Sequence, residues 1–207
     1  MVVDDHDLAR QGLVSILGGA EDVQVVAEAK TGREAIELAR RSLPDVVLMD
    51  VRMPDMDGLE ATRRIKEERP RTAVIIVTMH ESPTYLRQAV DAGAAGYLLK
   101  DVSKERLVEA VREVASGGSF IETQKLRGVL SQVRADGSAP QNLTRREREI
   151  LSHLAEGLSN REIAEKLVLS SETVKSHVAA ILSKLDLSDR TQAAVYAVRN
   201  GLAQPML

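Results

Sequence analysis

The chain has 207 residues, with 28 basic and 31 acidic side chains and a formal net charge of −3. This length suits two small domains, each able to bury a core of its own. The absence of cysteine excludes disulfide frameworks and thiolate metal centres, so metal ligands are expected to be carboxylates, histidines or carbonyl groups. Apolar runs are too short for a membrane helix, and we expect a cytoplasmic protein without a membrane partner.

Short β-branched apolar runs alternate with longer amphipathic segments from the N-terminus to about residue 118. Strands are predicted at 1–3, 23–29, 46–49, 73–78 and 96–99. Helices are predicted at 7–17, 32–41, 59–68, 84–92 and 103–116. Because the run 74–77 is apolar on both alternating faces, helices are expected to cover both sides of a parallel sheet. The pattern predicts an α/β doubly wound (βα)5 domain.

The chain changes character after the two glycines at 117 and 118, which end the last helix of this domain. A further amphipathic segment covers 122–133, and residues 135–141 read ADGSAPQ, a linker composition. Beyond it the strand pattern stops, and helices are predicted near 144–156, 160–167, 171–185 and 190–200. We therefore divide the chain into an α/β domain at 1–118, a helical segment and linker at 119–142, and a small all-α domain at 143–207.

Chemically coherent residues follow the predicted strands of the first domain. They are Asp4, Asp5, Asp50, Thr78 and Lys100. Since ligands of open α/β sheets bind at the carboxyl ends of the strands, these side chains are expected to converge. Clustered carboxylates favour a bound cation, and oxygen ligands favour Mg²⁺. Next to a cation and an ammonium group, Asp50 is placed to attack a phosphoryl donor as a carboxylate nucleophile.

These residues, with the segment MDVRMPDMDG at 49–58, resemble the receiver domains of bacterial two-component systems across about residues 1–120. The resemblance implies that Asp50 accepts a phosphoryl group from a sensor histidine kinase, with Lys100 beside it. It also implies that Thr78 and Tyr97 act as switch residues. The magnesium ligands implied are the acidic pair Asp4 and Asp5, the carboxylate of Asp50 and the backbone carbonyl of Arg52.

Two departures from the receiver pattern and two simpler interpretations accompany this assignment. The acidic pair follows three residues after the start, so the first strand is expected either to be short or to have been trimmed, and Asp101 stands where many receivers have proline. A lone aspartate such as Asp50 is also compatible with an ordinary turn carboxylate. Tyr97 is compatible with a half-buried core residue whose hydroxyl reaches water.

The segment LTRREREILSHLAEGLSNREIAEKLVLSSETVKSHVAAILSKLDL, at 143–187, resembles the LuxR-type helix-turn-helix of the NarL/FixJ subfamily. Its second and third helices are separated by a short turn, a spacing that suits insertion of the third helix into the major groove of double-stranded promoter DNA. Ser159 with Glu162 fits a capping box that opens the second helix, and Ser170 fits the N-cap of the third.

The third helix has an apolar and a polar side at helical spacing. The residues expected to face inward are Val174, Val178, Ile181, Leu182 and Leu185, and those expected to face outward are Ser171, Glu172, Lys175, Ser176 and Ala179. By resemblance Lys175, Ser176 and Ala179 face the bases. Thr173, His177 and Lys184 are candidates for phosphate or structural contacts. A solvated helix surface is the simpler interpretation of Lys175 and Lys184.

The charge of the second domain bears on how it binds DNA. Residues 135–207 carry nine basic and nine acidic side chains. Because phosphate neutralisation supplies most nonspecific affinity, a neutral domain is expected to bind one half-site poorly. We therefore expect a homodimer after phosphorylation, binding inverted repeats. The apolar residues at 193–198 fit either a dimer surface or the domain core.

Together these patterns predict a two-component response regulator that acts as a transcription factor and is not a turnover enzyme. One alternative is an aspartate-nucleophile phosphatase, which would need a second acidic residue two positions after Asp50, where Arg52 stands. The other is a DNA-binding regulator whose first domain works by protein contacts without phosphorylation.

Overall fold

Five parallel strands form one sheet in the order β2-β1-β3-β4-β5. The computed structural model describes residues 1–79, 82–130, 143–187 and 189–202, and the chain divides into two units, Met1–Phe120 and Ile121–Leu207. The predicted linker at 135–141 and the end of the helical segment before it lie outside the described residues. Each unit is described by itself.

The first unit alternates strands and helices as predicted. Its strands are β1 (Val2–Val3), β2 (Glu28–Ala29), β3 (Val46–Asp50), β4 (Ala73–Thr78) and β5 (Gly96–Leu99). Its helices are α1 (Asp7–Gly18), α2 (Gly32–Ser42), α3 (Gly58–Glu68), α4 (Pro83–Ala92) and α5 (Lys104–Ala115). The strand order reverses direction at β1 and β3, which is the switch point where doubly wound sheets bind ligands. The doubly wound (βα)5 prediction is confirmed.

Both faces of the sheet are buried, each against its own helices. Val3, Met49 and Ile76 belong to one apolar cluster, which contains residues of α2, α3 and α4. Their chain neighbours Leu48 and Ile75 belong to a second cluster, which contains residues of α1 and α5. Successive strand residues point to opposite faces, so a strand covered on both sides must be apolar throughout. This explains the continuous apolar runs in β3 and β4.

The second strand is shorter than predicted, because pairing covers 28–29 rather than 23–29. It lies at the edge of the sheet and pairs with β1, in the register Val2 with Glu28 and Val3 with Ala29. A ladder cannot extend past its partner, and β1 has two residues. The prediction of a seven-residue strand was therefore wrong in length. Most helix ends lie within one residue of the prediction.

All the secondary-structure elements among the described residues of the second unit are helices. It contains α6 (Thr123–Leu130), α7 (Arg145–Ala155), α8 (Asn160–Leu167), α9 (Ser171–Leu185) and α10 (Arg190–Arg199). The predicted capping box of Ser159 and Glu162 opens α8, and Ser170 caps α9 as predicted. A second capping box, made by Thr144 and Glu147, opens α7. These local hydrogen bonds fix where three of the helices begin.

Gly58 is expected to be intolerant of any side chain, because it lies directly against the end of β3. Its amide donates to the carbonyl of Val51 at 2.8 Å, and a Cβ at this position would overlap the carbonyl oxygen of Asp50. We expect Gly58→Ala to lower the free energy of unfolding by about 2 kcal/mol or more in urea titrations, because the β3 backbone is paired with β4 and the Gly58 amide is bonded to Val51.

Gly12→Ala in α1 is the matched control, since a Cβ there meets open space. This change should leave stability unchanged or raise it by up to about 1 kcal/mol, because alanine favours helix. Equal unfolding midpoints for Gly58→Ala and the unmodified chain would contradict the packing argument.

Candidate functional site

The register of the sheet brings the ends of four strands to one edge. Val3 pairs with Met49, so Asp4 and Asp50 leave the sheet side by side. The amide of Lys100 donates to the carbonyl of Thr78 at 2.7 Å, which joins the ends of β4 and β5. The strand-end residues predicted from the sequence are thus held by backbone pairing at the edge where ligands of such sheets bind.

A shared ammonium group links two buried carboxylates at this edge. The Nζ atom of Lys100 lies 2.7 Å from Oδ2 of Asp4 and 3.1 Å from Oδ1 of Asp50. Asp4 is fully buried and Asp50 is 6% exposed. An unpaired charge at such depth would be costly, so the ammonium offsets the burial of both groups.

The pKa values of Asp50 and Lys100 depend on burial and on the contacts of the Lys100 ammonium with the two carboxylates. Burial raises the pKa of Asp50 above its ordinary value, and the positive charge of Lys100 opposes the rise without cancelling it. Burial also acts to lower the pKa of Lys100, but hydrogen bonding to Asp4 and the charge of Asp50 outweigh it and raise that pKa. Lys100 therefore stays cationic, and its charge offsets part of the cost of burying the Asp50 carboxylate.

The same edge offers ligands for a metal ion. One oxygen or nitrogen atom from each of Asp4, Asp5, His6 and Asp50 lies within 4.8 Å of the others. Three carboxylates beside one ammonium leave an excess of negative charge, which a divalent cation with oxygen ligands would offset. The donor set therefore fits a hard divalent cation at this cluster.

A cavity of about 260 Å³ opens beside the carboxylates. Its lining consists of His6, Asp50, Arg52, Thr78, Met79 and Lys100. Thr78 ends β4 and is 6% exposed, so the structure brings it to the cavity as expected. Tyr97 lies in β5, is half-buried and packs against the apolar cluster that includes α3 and α4.

Sequence reasoning missed two residues of this cavity, His6 and Met79. Each directly follows a residue that was predicted to belong to the site, His6 after the acidic pair and Met79 after Thr78. That adjacency was the available signal. An exposed residue in a loop has no periodic pattern, so its direction could not be deduced from the sequence.

The outward surface of α9 agrees with its predicted polar side. Lys175, Ser176, Ala179 and Thr173 are exposed, and His177 is half-buried. Val174, Val178, Ile181 and Leu182 are buried as predicted, whereas Leu185 at the end of the helix is only half-buried. The helix therefore presents a solvent-facing row that a DNA groove could meet.

The turn between α8 and α9 is tight. Val168 ends α8 in the left-handed region, with φ of 54°, and is 90% exposed. The amide of Leu169 donates to the carbonyl of Ala164, and Ser170 then caps α9. Only Val168 and Leu169 therefore separate the last residue of α8 from the N-cap of α9.

Lys184 forms an ion pair with a buried carboxylate of the second unit, while its own side chain is 39% exposed. Its Nζ lies 2.8 and 2.7 Å from the two carboxylate oxygens of Glu147, which is 4% exposed. Hydrogen bonding to Lys184 is the main reason why the pKa of Glu147 is lowered. This geometry supports the structural interpretation of Lys184 over a phosphate contact. The apolar residues of α10, among them Ala193 and Val195, are buried within the unit, in agreement with a core role.

Comparison with known proteins identifies both units. Residues 1–112 match the family described as "Response regulator receiver domain", and residues 141–197 match "Bacterial regulatory proteins, luxR family". The chain is 42% identical to the transcriptional regulatory protein LiaR of Bacillus subtilis, over 98% of this chain and 97% of the relative. It is 40% identical, over the same shares, to LnrK of that organism. The solved structure of response regulator ChrA, from a heme-sensing two-component system, matches at a TM-score of 0.52 with 38% identity, over 98% and 96%.

A receiver fold joined to a helix-turn-helix defines a transcription regulator of the two-component class. The chain belongs to the response regulators with a receiver domain and a LuxR-type DNA-binding domain. Members of this family regulate transcription and are not turnover enzymes, which argues against the phosphatase alternative. None of the helices within the described residues combines the length and the hydrophobicity needed to cross a membrane.

Glu147→Gln is expected to destabilise the second unit by about 1 kcal/mol at pH 7, because it removes a charge-assisted bond to Lys184 and keeps the capping bond to Thr144. The lowered pKa of Glu147 means that the carboxylate stabilises the fold above its unfolded-state pKa. This contribution disappears as the pH falls through the folded-state pKa. Urea unfolding, followed by circular dichroism at pH 7 and at a pH below about 4, measures how the free energy of unfolding of each protein changes with pH.

Glu165→Gln is the control, since the Glu165 side chain is 66% exposed and pairs with Arg161 along one face of α8. This variant should change stability by less than about 0.5 kcal/mol at either pH. If Glu147→Gln and Glu165→Gln unfold alike at pH 7, the ion pair does not stabilise the junction of α7 and α9.

Proposed function

We propose that phosphoryl transfer from a sensor histidine kinase to Asp50 controls dimerisation of this protein and DNA binding by its α7–α10 domain. The observation that carries the proposal is the Lys100 ammonium between two buried carboxylates, next to a group of ligands that fits a divalent cation. The receiver domain is taken as 1–118, the helical segment and linker as 119–142 and the DNA-binding domain as 143–207.

In the proposed reaction, a carboxylate oxygen of Asp50 forms a bond to the phosphorus of a phosphohistidine while the phosphorus–nitrogen bond breaks. Asp4, Asp5, Asp50 and the carbonyl of Arg52 would hold Mg²⁺, which would supply neutralising charge for the phosphoryl oxygens. Lys100 is positioned to neutralise a further oxygen. Little covalent chemistry is asked of the protein, because positioning and charge stabilise a loose transition state.

Thr78 and Tyr97 would carry the signal away from Asp50. Phosphorylation adds up to one further negative charge and new acceptor oxygens, which the Thr78 hydroxyl and the Lys100 ammonium are placed to bind. Thr78 and Lys100 lie at the ends of the neighbouring strands β4 and β5, which a backbone hydrogen bond joins. A movement of Thr78 would therefore be transmitted to β5 and to Tyr97. The resulting change in the surface around α4, β5 and α5 would favour a homodimer.

DNA binding is assigned to the outward row of α9. Lys175, Ser176 and Ala179 would face base edges in the major groove, and Thr173 and His177 would lie towards the phosphates. Ala179 has no hydrogen-bonding group, so it contributes at most an apolar contact to a thymine methyl. The target is double-stranded promoter DNA in the cytoplasm, and a dimer would double the phosphate contacts of a neutral domain.

Asp50→Asn tests the phosphoacceptor directly. With acetyl phosphate and Mg²⁺, the unmodified chain should gain the mass of one phosphoryl group and shift towards a dimer in size-exclusion chromatography. A carboxamide is a poor nucleophile compared with the Asp50 carboxylate, so the variant should show neither change. Asp55→Asn is the matched control, because Asp55 is an exposed loop residue after β3 at a left-handed position that asparagine tolerates.

The two readouts separate the parts of this proposal. Phosphorylation without dimerisation would retain Asp50 as acceptor and reject dimerisation as the output. Absence of any mass gain in the unmodified chain would reject phosphorylation and favour a regulator that works by protein contacts alone.

Lys175→Ala tests the assigned DNA surface. Binding to sites selected from a random-sequence DNA pool should weaken about tenfold, and discrimination against unselected DNA should fall, since a base contact is lost. Electrophoretic mobility shifts at two salt concentrations measure both effects. Lys30→Ala removes the same charge from an exposed position in the first unit and should leave the affinity within about twofold. Equal losses in both variants would point to a general charge effect.

A further inference from the structure

The segment that leaves the first unit is paired with the edge of its sheet. After α5 the chain turns at two glycines, and a Cβ at Gly118 would overlap the Glu113 side chain. Phe120 then lies parallel to β5. Its amide donates to the carbonyl of Ala95 at 2.9 Å, and its carbonyl accepts from the amide of Tyr97 at 3.2 Å. Because β5 is the last strand in the sheet order, Phe120 covers the outer edge of the sheet.

The side chain of Phe120 anchors this pairing. Its ring is half-buried and packs against the apolar cluster that contains residues of α1 and α5. The guanidinium carbon of Arg106 lies 4.3 Å from the centroid of the ring, which makes a cation–π contact. Tyr97, the proposed switch residue, thus shares a backbone hydrogen bond with the anchored residue at which the first unit ends.

The next helix, α6, begins three residues after Phe120 and is part of the second unit. Its residues Leu126, Val129 and Leu130 are buried, and the helix contacts α10. Arg127 lies against Gly157, in the turn between α7 and α8, where a Cβ would come 2.6 Å from Cγ of Arg127. The helix α6 therefore packs with the DNA-binding helices as one unit.

An ion pair joins α6 to the start of α8. Nη2 of Arg127 lies 2.7 Å from Oε1 of Glu162. The other carboxylate oxygen of Glu162 accepts from the amide of Ser159 at 2.7 Å, in the capping box that opens α8. Since α8 leads through a two-residue turn into α9, a displacement of α6 would act on the helix that precedes the outward row of α9.

We propose that Phe120 transmits the state of Asp50 to the DNA-binding unit, and that Arg127 passes the movement of α6 to α8. The inference rests on the proposed phosphorylation of Asp50 and on the movement of Tyr97 that follows it. When β5 shifts, Phe120 follows through its two backbone hydrogen bonds. Residues 121 and 122 alone separate it from α6, and two residues span at most about 7 Å, so little flexible chain absorbs the movement. Both side chains act by positioning, because neither belongs to the phosphorylation site or to the DNA-facing row.

Hydrogen exchange of the full chain, followed by mass spectrometry, tests the first step. Exchange is compared with and without beryllofluoride and Mg²⁺, which together mimic the phosphoryl group. In the unmodified chain the amides of β5 and of α6 should both change their exchange rates by about twofold or more. In Phe120→Ala the β5 response should remain and the α6 response should be lost, because the ring that anchors the pairing is gone. Phe120→Tyr keeps the ring beside Arg106 and should restore the α6 response.

Leu13→Ala is the matched control, since Leu13 lies in α1 and is half-buried against the same apolar cluster. This variant should keep both responses. Arg106→Gln removes the cation from the Phe120 ring at an exposed position and should weaken the α6 response without unfolding the chain. An α6 response that persists unchanged in Phe120→Ala overturns the inference. If Phe120→Ala does not fold, an unchanged response in Arg106→Gln overturns it.

DNA binding tests the second step. The gain in DNA affinity on phosphorylation, measured by electrophoretic mobility shifts, should fall about fivefold in Arg127→Ala. Lys125→Ala removes a cation from the same helix, one that pairs with Glu122, and should keep the gain. Equal losses in the two variants would reject the pair of Arg127 and Glu162 as the connection.

The unmodified chain separates failure of this inference from failure of the proposed function. A β5 response without an α6 response would overturn the inference while the proposed phosphorylation of Asp50 stands. Absence of both responses would reject the proposed switch and this inference with it.

Discussion

The ammonium group of Lys100, shared by Asp4 and Asp50, is the interaction on which the first unit depends. The sheet is apolar on both faces, so a carboxylate at a strand end is surrounded by groups that cannot solvate it. Burying two such groups side by side without a cation would cost several kcal/mol. The backbone bond from Lys100 to the carbonyl of Thr78 holds β5 at the depth where its side chain reaches both acids. The ion pairs of Lys100 therefore support both the fold of the first unit and the chemistry proposed for Asp50.

In the second unit, the buried carboxylate of Glu147 joins two helices. The Glu147 carboxylate accepts a hydrogen bond from the Lys184 ammonium. It also accepts one from the backbone amide of Thr144, which completes the capping box. One side chain thus fixes the start of α7 and ties it to the end of α9. This arrangement gives Lys184 an acidic partner within the second unit, although its side chain is still 39% exposed. If α9 binds DNA as proposed, Lys184 is less available to a phosphate than its exposed position suggests, and a second subunit would matter more for phosphate contacts.

The strand-end cluster could be predicted because periodicity locates the strands and parallel topology brings their carboxyl ends together. Asp4, Asp50, Thr78 and Lys100 needed no further information. The length of β2 could not be predicted, since it depends on the length of its partner β1 and not on its own β-branched residues. The Glu147–Lys184 pair joins residues 37 positions apart on different helices, a separation that no local pattern encodes. His6 was missed because it lies in a loop between β1 and α1, where no periodic pattern indicates the direction of a side chain.

The free energy needed to activate the protein links the proposed phosphorylation to the proposed dimerisation. Moving a two-state protein from mostly inactive to mostly active needs about 5.5 kcal/mol of differential stabilisation. A hydrogen bond to a charged group contributes about 1.5–3 kcal/mol, and Lys100 is already engaged by Asp4 and Asp50 before phosphorylation. Its contact with a phosphoryl oxygen is therefore an exchange of partners and not a wholly new bond. In the proposed reaction Thr78 would also contribute a hydrogen bond to the phosphoryl group, and surface buried between two associating receivers would supply the remaining free energy.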